Sequence, residues 1–218
     1  MPDDALLEAE LLIQRGFAHG FSLRATDTER ALARVGIARP YLASQVHGAN
    51  VILAEGDPAS VRKVEADALV ARAPGAAVAV RVADCVPVLV GSDEGVAAIH
   101  AGWRGVVNGV IPAALRALGG KDRACAIGPC IGACCFEVGL DVAESIAAAS
   151  RADVIARREG EKAYVDLRRA VRALLGAEGV TEIEDVPGCT KHEPERFFSF
   201  RRDGANAGRL IGVIAVRK

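Results

Sequence analysis

Two apolar runs in the 218-residue chain end directly at side chains that can bind a metal ion. The first run, residues 76–82, leads into Asp84 and Cys85, and the second, residues 95–99, leads into His100. Continuous apolar runs of this length are typical of buried strands. Because a buried strand fixes the backbone while the loop after it leaves room for a cavity, we expect reactive side chains at these two strand ends.

A third candidate ligand, His47, lies in the string Gln45-Val46-His47-Gly48. With Cys85 and His100 it completes a set of two imidazoles and one thiolate. A catalytic zinc ion typically uses three protein ligands and keeps its fourth position open. The alternative is that these residues are structural, because a lone histidine is more often hydrogen-bonded than metal-bound. The residue types alone leave both interpretations open.

Apolar patterns predict more strand than helix. Strand-like runs occupy Val51–Ala54, Ala77–Val82, Val86–Val90, Val96–Ile99 and Leu210–Val216, and helical periodicity occurs at Thr28–Val35, Ile111–Leu118, Leu140–Ala149 and Leu167–Leu175. Because the two kinds of element do not alternate strictly, the pattern predicts an α/β (α+β) protein with layered mixed β-sheets flanked by helices.

Composition narrows the class of protein. We expect a single domain over residues 1–218, because no linker-like, repetitive or low-complexity stretch interrupts the chain. A net charge of −1 and an aromatic content of 4% argue against a nucleic-acid-binding surface. An acidic N-terminus without a long apolar run argues against a signal peptide or a membrane span, so a cytoplasmic protein is expected. The composition favours small-molecule chemistry.

Six strings in this order resemble the laccase-domain family, also called the polyphenol oxidase or YfiH-type purine nucleoside phosphorylase family. The resemblance extends from Phe17 to the C-terminus, and its most specific string is the one that contains His100. The six strings run Ser44 to Gly48, Ala66 to Val70, Val82 to Pro87, Ile99 to Gly105, Ile127 to Gly132 and Phe197 to Gly204.

The resemblance implies a zinc enzyme whose ligands are His47, Cys85 and His100. It implies phosphorolysis of purine nucleosides, with inorganic phosphate as the second substrate and adenosine deamination as a further activity. It also implies a YfiH-like fold, similar to that of the cytotoxic necrotizing factor catalytic domain. The oligomeric state stays open.

Two departures from the family pattern bear on local structure. Arg24, which ends the string Phe-Ser-Leu-Arg, is followed by residues 25–27 rather than by the usual pair of glycines. Pro112 interrupts a segment in which the family forms an unbroken helix. A proline inside a helix removes a hydrogen bond, so we expect a kink or a later helix start there.

Arginines supply the candidate phosphate ligands, because a guanidinium group binds phosphate bidentately and keeps its charge at any working pH. Arg104 is the candidate for neutralising developing negative charge, and Arg24, Arg201 and Arg202 are candidates for substrate binding. Each of these arginines has a structural alternative as a surface residue or an ion-pair partner.

Asp84 and Gln45 are the other candidate catalytic residues. Asp84 is a candidate proton donor or acceptor, although in an extended segment it points away from Cys85 and becomes a structural carboxylate. Gln45 lies on the same face as His47 in an extended segment, which suits a substrate hydrogen bond; backbone capping is the alternative.

The remaining cysteines are interpreted as structural. The segment from Cys125 to Cys135 has no Cys-x-x-Cys spacing, and its thiols alternate with apolar residues, as buried cysteines do. Cys189 and His192 are close in sequence, but a polar loop explains them as well. No second metal site is therefore predicted.

Three other functions are considered. Four histidines cannot build the mononuclear and trinuclear copper centres of a true laccase, although copper could displace zinc in vitro. A cysteine hydrolase would use Cys85 as nucleophile and His100 or His47 as base, which excludes zinc on the same thiolate. Some bacterial members of the family are described as peptidoglycan-editing factors, which makes cell-wall precursors a further substrate class.

Overall fold

A computed structural model describes residues 6–217, which form three β-sheets and seven α-helices. The strands are β1 (Leu6–Leu7), β2 (His19–Ser22), β3 (Val51–Leu53), β4 (Ala68–Ala71), β5 (Ala77–Val82), β6 (Val86–Gly91), β7 (Val96–Ala101), β8 (Ala124–Ile127), β9 (Glu137–Gly139), β10 (Ile155–Glu159), β11 (Lys162–Val165), β12 (Glu182–Asp185) and β13 (Leu210–Ala215). The helices are α1 (Glu10–Gln14), α2 (Thr28–Arg34), α3 (Trp103–Val107), α4 (Val110–Leu118), α5 (Leu140–Ser150), α6 (Leu167–Ala177) and α7 (Phe200–Asp203). Short 3₁₀ turns lie at Pro58–Val61 and Gly204–Asn206.

The largest sheet has six strands in the order β12-β8-β6-β7-β4-β3. Its central strands β6 and β7 are antiparallel, with Pro87 opposite His100. Because Cys85 lies just before β6 begins, this register brings it beside the end of β7 that carries His100. Two of the three predicted metal ligands are thus positioned by one strand pair.

A second sheet has four antiparallel strands in the order β1-β2-β13-β5. It faces the six-stranded sheet, and side chains of both fill the space between them; Val78 and Val80 on β5 pack in one cluster with Leu89 on β6 and Ala98 on β7. Alternate residues of a strand point to opposite faces, so the same strands also present apolar side chains outward.

Helices cover those outward faces. On the six-stranded sheet, Ile111, Leu115 and Leu118 of α4 pack in one buried cluster with Val88 and Ile99, and α5 and α6 contribute to the same cluster. On the four-stranded sheet, Leu32 of α2 packs near Ile211 and Val213. The order helix, sheet, sheet, helix confirms the predicted layered mixed-sheet fold with flanking helices.

Most predicted elements occur near their expected bounds, and Pro112 explains one difference between the chain and the family pattern. The segment after His100 forms two helices, α3 and α4, separated at Asn108 and Gly109. Gly109 has a φ of 84°, which glycine adopts without strain, and Pro112 sits in the first turn of α4. A first-turn amide lacks a helical partner in any case, so proline is tolerated there. The predicted later start is confirmed.

Several strands were not predicted, some because they are polar and others, such as β4 and β8, although they are short, apolar and buried. In the antiparallel sheet β10-β11-β9, strand β10 carries exposed charged side chains, which hide a strand pattern. Strand β8 lies within the cysteine-rich segment and pairs with β6 and β12. Among the helices within residues 6–217, none is long and apolar enough to cross a membrane.

Candidate active site

His47, Cys85 and His100 converge, and their possible ligand atoms all lie within 4.8 Å of one another. We call these residues the three-donor cluster. His100 is buried, Cys85 is half-buried and His47 is exposed, so the cluster opens toward solvent on one side. The two imidazole rings meet nearly edge to face, with 4.8 Å between centroids and 73° between planes. The predicted ligand set is therefore brought together.

Asp67 organises the backbone around His47. Its carboxylate accepts hydrogen bonds from the backbone N–H groups of Val46 at 3.2 Å, His47 at 2.9 Å and Gly48 at 2.7 Å. His47 itself has a φ of 61°, in the left-handed region that is costly for a residue with a Cβ. The three hydrogen bonds hold this conformation and fix the histidine at the cluster.

Asp67 also orients His100. Its Oδ1 lies 2.7 Å from His100 Nδ1, and both side chains are buried. Because a carboxylate accepts, Nδ1 donates and Nε2 is left free as a ligand atom. Burial would raise the pKa of Asp67, but the bond to His100 and the backbone N–H groups outweigh it and lower that pKa.

Asp67 was not predicted as a site residue, although it lies in the string from Ala66 to Val70 that resembles the family. An available signal was an aspartate immediately before an apolar strand, since a fully buried carboxylate requires partners.

Cys85 and His100 shift each other's protonation. Burial would raise the pKa of the Cys85 thiol, but hydrogen bonds with His100 and His47 lower it to about 7. Burial would lower the pKa of His100, but the bonds to Asp67 and Cys85 raise it to about 9. Without metal, the pair therefore favours a thiolate beside an imidazolium near neutral pH. A thiolate is also the form of cysteine that binds a metal.

Two glycines allow the close approach of these segments. A Cβ on Gly102 would lie 3.0 Å from Cys85 Sγ and 3.0 Å from His47 Cδ2. A Cβ on Gly105 would lie 2.9 Å from the carbonyl oxygen of Gly48. Any side chain at Gly102 would therefore displace the donor atoms.

A cavity of about 510 Å³ opens onto the three-donor cluster. Its volume lies within the range of about 300–1,000 Å³ that small-molecule sites occupy. It is lined by Ser44, Gln45, His47, Arg81, Ala83, Asp84, Cys85, His100, Ile131, Phe136, Phe200, Arg201 and Arg209. Arg81, Arg209, Phe136 and Phe200 were not predicted as site residues. Arg81 and Phe200 lie in segments that carry predicted residues, whereas Phe136 and Arg209 come from segments without one.

Asp84 departs from the extended geometry considered for it. Its φ is 88°, so the backbone turns between β5 and β6, and Asp84 and Cys85 both line the cavity. The extended backbone that would point them in opposite directions does not occur at Asp84. The Asp84 carboxylate accepts from Thr190 Oγ1 at 2.6 Å and from the Arg201 backbone N–H at 2.6 Å. Both of its oxygens are thus used to hold neighbouring segments.

Gln45 lines the cavity, but its amide is already paired. Its Nε2 donates to the Arg81 carbonyl at 2.7 Å, and its Oε1 accepts from the Arg81 N–H at 2.8 Å. This pairing matches the capping alternative and joins the loop of His47 to the end of β5.

Of the predicted arginines, Arg201 alone lines the cavity. Its guanidinium donates to the Glu137 carbonyl at 2.8 Å. Arg202 points away and donates to the backbone carbonyls of Thr190 and Phe197.

The other two predicted arginines, Arg104 and Arg24, are exposed and do not line the cavity. Arg104 stacks over Trp103, 4.7 Å from its ring centroid, and Arg24 lies 5.1 Å from the ring centroid of Phe198. Both guanidinium groups lie against aromatic rings outside the cavity, so their substrate roles remain predictions that the cavity does not support.

A second group of donors lies outside the cavity. Cys134, Cys135, Cys189 and His192 have ligand atoms that all lie within 4.8 Å of one another. The expectation that the thiols of residues 125–135 are buried is wrong for Cys134, which is exposed and contacts Cys189, and holds for Cys135. Spacing along the chain could not reveal a pairing of two loops 55 residues apart. Cys125 and Cys130 are buried, as expected.

Known proteins are similar to this chain in sequence and in fold. A family model described as multi-copper polyphenol oxidoreductase laccase matches residues 24–217. A purine nucleoside phosphorylase of Pseudomonas aeruginosa is 37% identical over 183 residues, which cover 81% of this chain and 74% of that protein. An adenosine deaminase, RL5, from an unknown prokaryotic organism is 43% identical over 157 residues, or 66% of this chain and 60% of that protein.

A crystal structure of the Neisseria meningitidis protein NMB0706 is similar to this chain with a TM-score of 0.77 and 33% sequence identity. The similarity covers 87% of this chain and 79% of that one. The family match covers most of the chain and includes all three residues of the three-donor cluster. The chain therefore belongs to the multi-copper polyphenol oxidoreductase laccase family.

Proposed function

We propose that the chain is a zinc-dependent purine nucleoside phosphorylase that acts on adenosine, inosine, guanosine and methylthioadenosine. The observation that carries this proposal is an open cluster of three metal-binding side chains facing a cavity lined by three guanidinium groups. The P. aeruginosa relative with the same printed activity adds support. Substrates and metal are both part of the proposal.

The donor chemistry fits zinc. Two imidazoles and one thiolate are ligands that zinc accepts, and the bond from Asp67 to His100 is the usual support for a zinc-bound histidine. Glycine at position 102 keeps the space between Cys85 and His47 clear. When bound to such a set, a zinc ion supplies a fourth position that phosphate or water can occupy.

The cavity suits an anion on one side. Arg81, Arg201 and Arg209 line it, and within residues 6–217 none of the three guanidinium groups forms an ion pair with a carboxylate. Uncompensated guanidinium groups bind phosphate oxygens bidentately. We assign inorganic phosphate to these arginines.

The cavity suits a flat apolar group on the other side. Phe136 and Phe200 line it, and Phe200 is 53% exposed although it is a large apolar side chain. An exposed aromatic ring at a cavity provides a stacking surface for a purine base. Ile131 extends the apolar wall.

The reaction is a displacement at the anomeric carbon of the ribose. An oxygen of hydrogen phosphate forms a bond to C1′ as the bond from C1′ to the purine nitrogen breaks. The purine leaves with that electron pair and gains, through solvent, the proton that the phosphate loses. Arg201 and its neighbouring arginines orient phosphate and offset its charge in the transition state. The products are the free purine and ribose 1-phosphate.

Asp84 and Gln45 are assigned positioning roles. Asp84 holds the backbone of Arg201 and the hydroxyl of Thr190, so it fixes the arginine at the cavity. Gln45 holds Arg81 through two hydrogen bonds to its backbone. Charge neutralisation by Arg104 remains a prediction that the Arg104→Ala variant tests. Because its guanidinium stacks on Trp103 outside the cavity, unchanged phosphate kinetics would remove it from the site.

Adenosine deamination is a further activity within this proposal, supported by similarity to the deaminase RL5. The chain lacks the His-x-Glu and Pro-Cys-x-x-Cys strings of zinc deaminases, since residues 48–49 after His47 are Gly-Ala. Water would replace phosphate as the nucleophile, and adenosine and water would give inosine and ammonia.

One observation favours a second candidate, a cysteine hydrolase. The lowered pKa of Cys85 and the raised pKa of His100 describe a thiolate and an imidazolium, which is the resting state of many cysteine nucleophiles. Bound zinc would block this chemistry. Metal content therefore separates the two functions.

The direct test is a product assay. The zinc-loaded protein is incubated with inosine or adenosine, with and without inorganic phosphate, and with a chelator as control. We expect free purine and ribose 1-phosphate only when phosphate is present, and no reaction after chelation. Free ribose in the absence of phosphate would indicate hydrolysis. If the zinc-loaded protein leaves every purine nucleoside unchanged, the proposal fails, and peptidoglycan precursors become the next substrates to test.

A further inference from the structure

The second donor group, which we call the four-donor cluster, comprises Cys134, Cys135, Cys189 and His192. None of these residues lines the cavity, so the cluster is separate from the candidate active site. It contains three thiols and one imidazole. This is one of the ligand sets that structural zinc sites use.

Four of the six donor–donor distances within the cluster are close to the edges of a zinc tetrahedron, and the other two are at most 4.8 Å. Cys134 Sγ lies 3.5 Å from Cys135 Sγ, 3.6 Å from Cys189 Sγ and 3.4 Å from His192 Nδ1. Cys135 Sγ lies 3.8 Å from His192 Nδ1. With the usual zinc–ligand bond lengths, a tetrahedron has edges of about 3.8 Å between sulfurs and about 3.6 Å between sulfur and nitrogen. The donors thus surround a space of the right size.

The backbone holds each pair of donors in place. Cys135 N donates to the Gly132 carbonyl at 2.9 Å, which closes a turn around Cys134 and Cys135. His192 N donates to the Cys189 carbonyl at 3.1 Å, so both side chains lie on one turn. Glu193 Oε1 accepts from Cys189 N at 2.7 Å and caps that turn.

A thiolate environment is already formed at Cys189. The Gly132 backbone N–H donates to Cys189 Sγ at 3.3 Å, the kind of hydrogen bond that supports a metal-bound thiolate. A Cβ on Gly132 would lie 3.3 Å from Cys134 Sγ and 3.4 Å from Cys189 Sγ. Glycine therefore lets the first loop approach the second.

We propose that the four-donor cluster binds a structural zinc ion that joins the loop of residues 128–136 to the loop of residues 188–193. Both loops support the active-site cavity. The first carries Ile131 and Phe136 in the cavity wall, and the second carries Thr190, which hydrogen-bonds to Asp84. A zinc ion there holds the wall at its distance from Asp84 without touching substrate.

The test is metal analysis of the protein purified without added metal. We expect a total of about two zinc ions per chain, one for each cluster. Cys189→Ala and Cys85→Ser should each lose one zinc ion and keep the other. Cys125→Ala is the matched control, because Cys125 is buried outside both clusters, and it should keep both.

Cobalt substitution gives a second measurement. It leaves the four-donor cluster unchanged, so it does not depend on whether a variant of that cluster folds. The two clusters together offer four thiolates, and three of them belong to the four-donor cluster. Cobalt-loaded Cys85→Ser should therefore retain about three-quarters of the thiolate-to-cobalt absorbance of the unmodified chain. A single zinc ion that disappears with Cys85, absorbance that disappears with it, or a disulfide between Cys134 and Cys189 in anaerobically purified protein would overturn the proposal.

Discussion

The two donor clusters use the same side-chain types but differ in what surrounds them. The three-donor cluster lies at the ends of two central strands and opens into a cavity with three arginines. The four-donor cluster lies on two loops and is completed by its own four side chains. A metal with three protein ligands can accept a substrate, whereas one with four cannot without losing a ligand. The number of ligands and the adjoining space therefore separate a catalytic site from a structural one.

Arg201 and Arg202 are adjacent in sequence but contact different regions of the molecule. Replacing each with alanine should give the largest difference in kcat/KM between any two variants of this comparison. Arg201 lines the cavity, whereas Arg202 donates to the Thr190 carbonyl in the loop of the four-donor cluster. Arg201→Ala should reduce kcat/KM for phosphate by about 10²–10³-fold with zinc retained, because a transition-state contact is lost. Arg202→Ala should lower the melting temperature with a smaller kinetic effect. Equal kinetic losses would break the comparison.

In the metal-free protein, the half-buried Cys85 thiol should react faster than the exposed Cys134 thiol, the reverse of the order that exposure alone would give. The pKa of Cys85 is lowered to about 7, whereas burial and the neighbouring thiols raise the pKa of the exposed Cys134 to about 12. At pH 7 iodoacetamide should modify Cys85 about 10²-fold faster than Cys134, because the thiolate is the reactive form. Peptide mass spectrometry measures both rates.

The same experiment has a defined pH dependence. Since thiolate is the deprotonated form, the rate at Cys85 should fall roughly fivefold from pH 7 to pH 6. Bound zinc should protect Cys85. Faster modification of Cys134 at pH 7 would contradict the assigned environment of the three-donor cluster.

Asp67 supports the three-donor cluster through His100 and is not part of the four-donor cluster, so a variant at Asp67 should affect only the first. Asp67→Asn keeps the shape of the side chain but removes the charge that orients His100. Zinc affinity at the three-donor cluster should weaken by about 10–100-fold, as observed for such supporting carboxylates. The four-donor cluster should be unaffected. Competition with a chromophoric chelator reports both affinities, and loss of both ions together would point to general unfolding instead.

Two glycines give the smallest contrast. Gly102→Ala places a methyl group 3.0 Å from Cys85 Sγ, whereas in Gly132→Ala the shortest contact is 3.3 Å. We expect Gly102→Ala to weaken zinc binding at the three-donor cluster by up to about tenfold and Gly132→Ala to have a smaller effect at the four-donor cluster. Isothermal titration with zinc compares the variants. A larger effect at Gly132 would reverse the order of the two contacts.

The sequence predicted the strand ends well because β5, β6 and β7 are mainly apolar runs, with Arg81 the one exposed residue among them. Cys85 and His100 follow from those runs, and His47 follows from the ligand set that it completes and from the family resemblance. The left-handed conformations of His47 and Asp84 could not be predicted, since hydrogen bonds from distant residues hold them. The same holds for the orientation of Gln45 toward Arg81.

The four-donor cluster was missed for a topological reason. The loop after strand β8 lies beside the segment that carries Cys189. The backbones of Cys130 and Cys189 pair there as an isolated parallel β-bridge, and both thiols are free. Nothing in the spacing of the cysteines along the chain encodes that pairing. Strand β10 was missed because four consecutive residues, on both of its faces, are exposed and leave no alternating pattern.

The most direct test of the central claim measures zinc content and nucleoside phosphorolysis together in Cys85→Ser, with Cys125→Ala as control. The account predicts that Cys85→Ser loses about one zinc ion per chain and at least about 10³-fold in kcat/KM for inosine, while the control keeps both. Normal phosphorolysis in a variant that has lost this zinc ion would contradict a catalytic role for the three-donor cluster. Full zinc retention with activity abolished would instead assign Cys85 as a nucleophile.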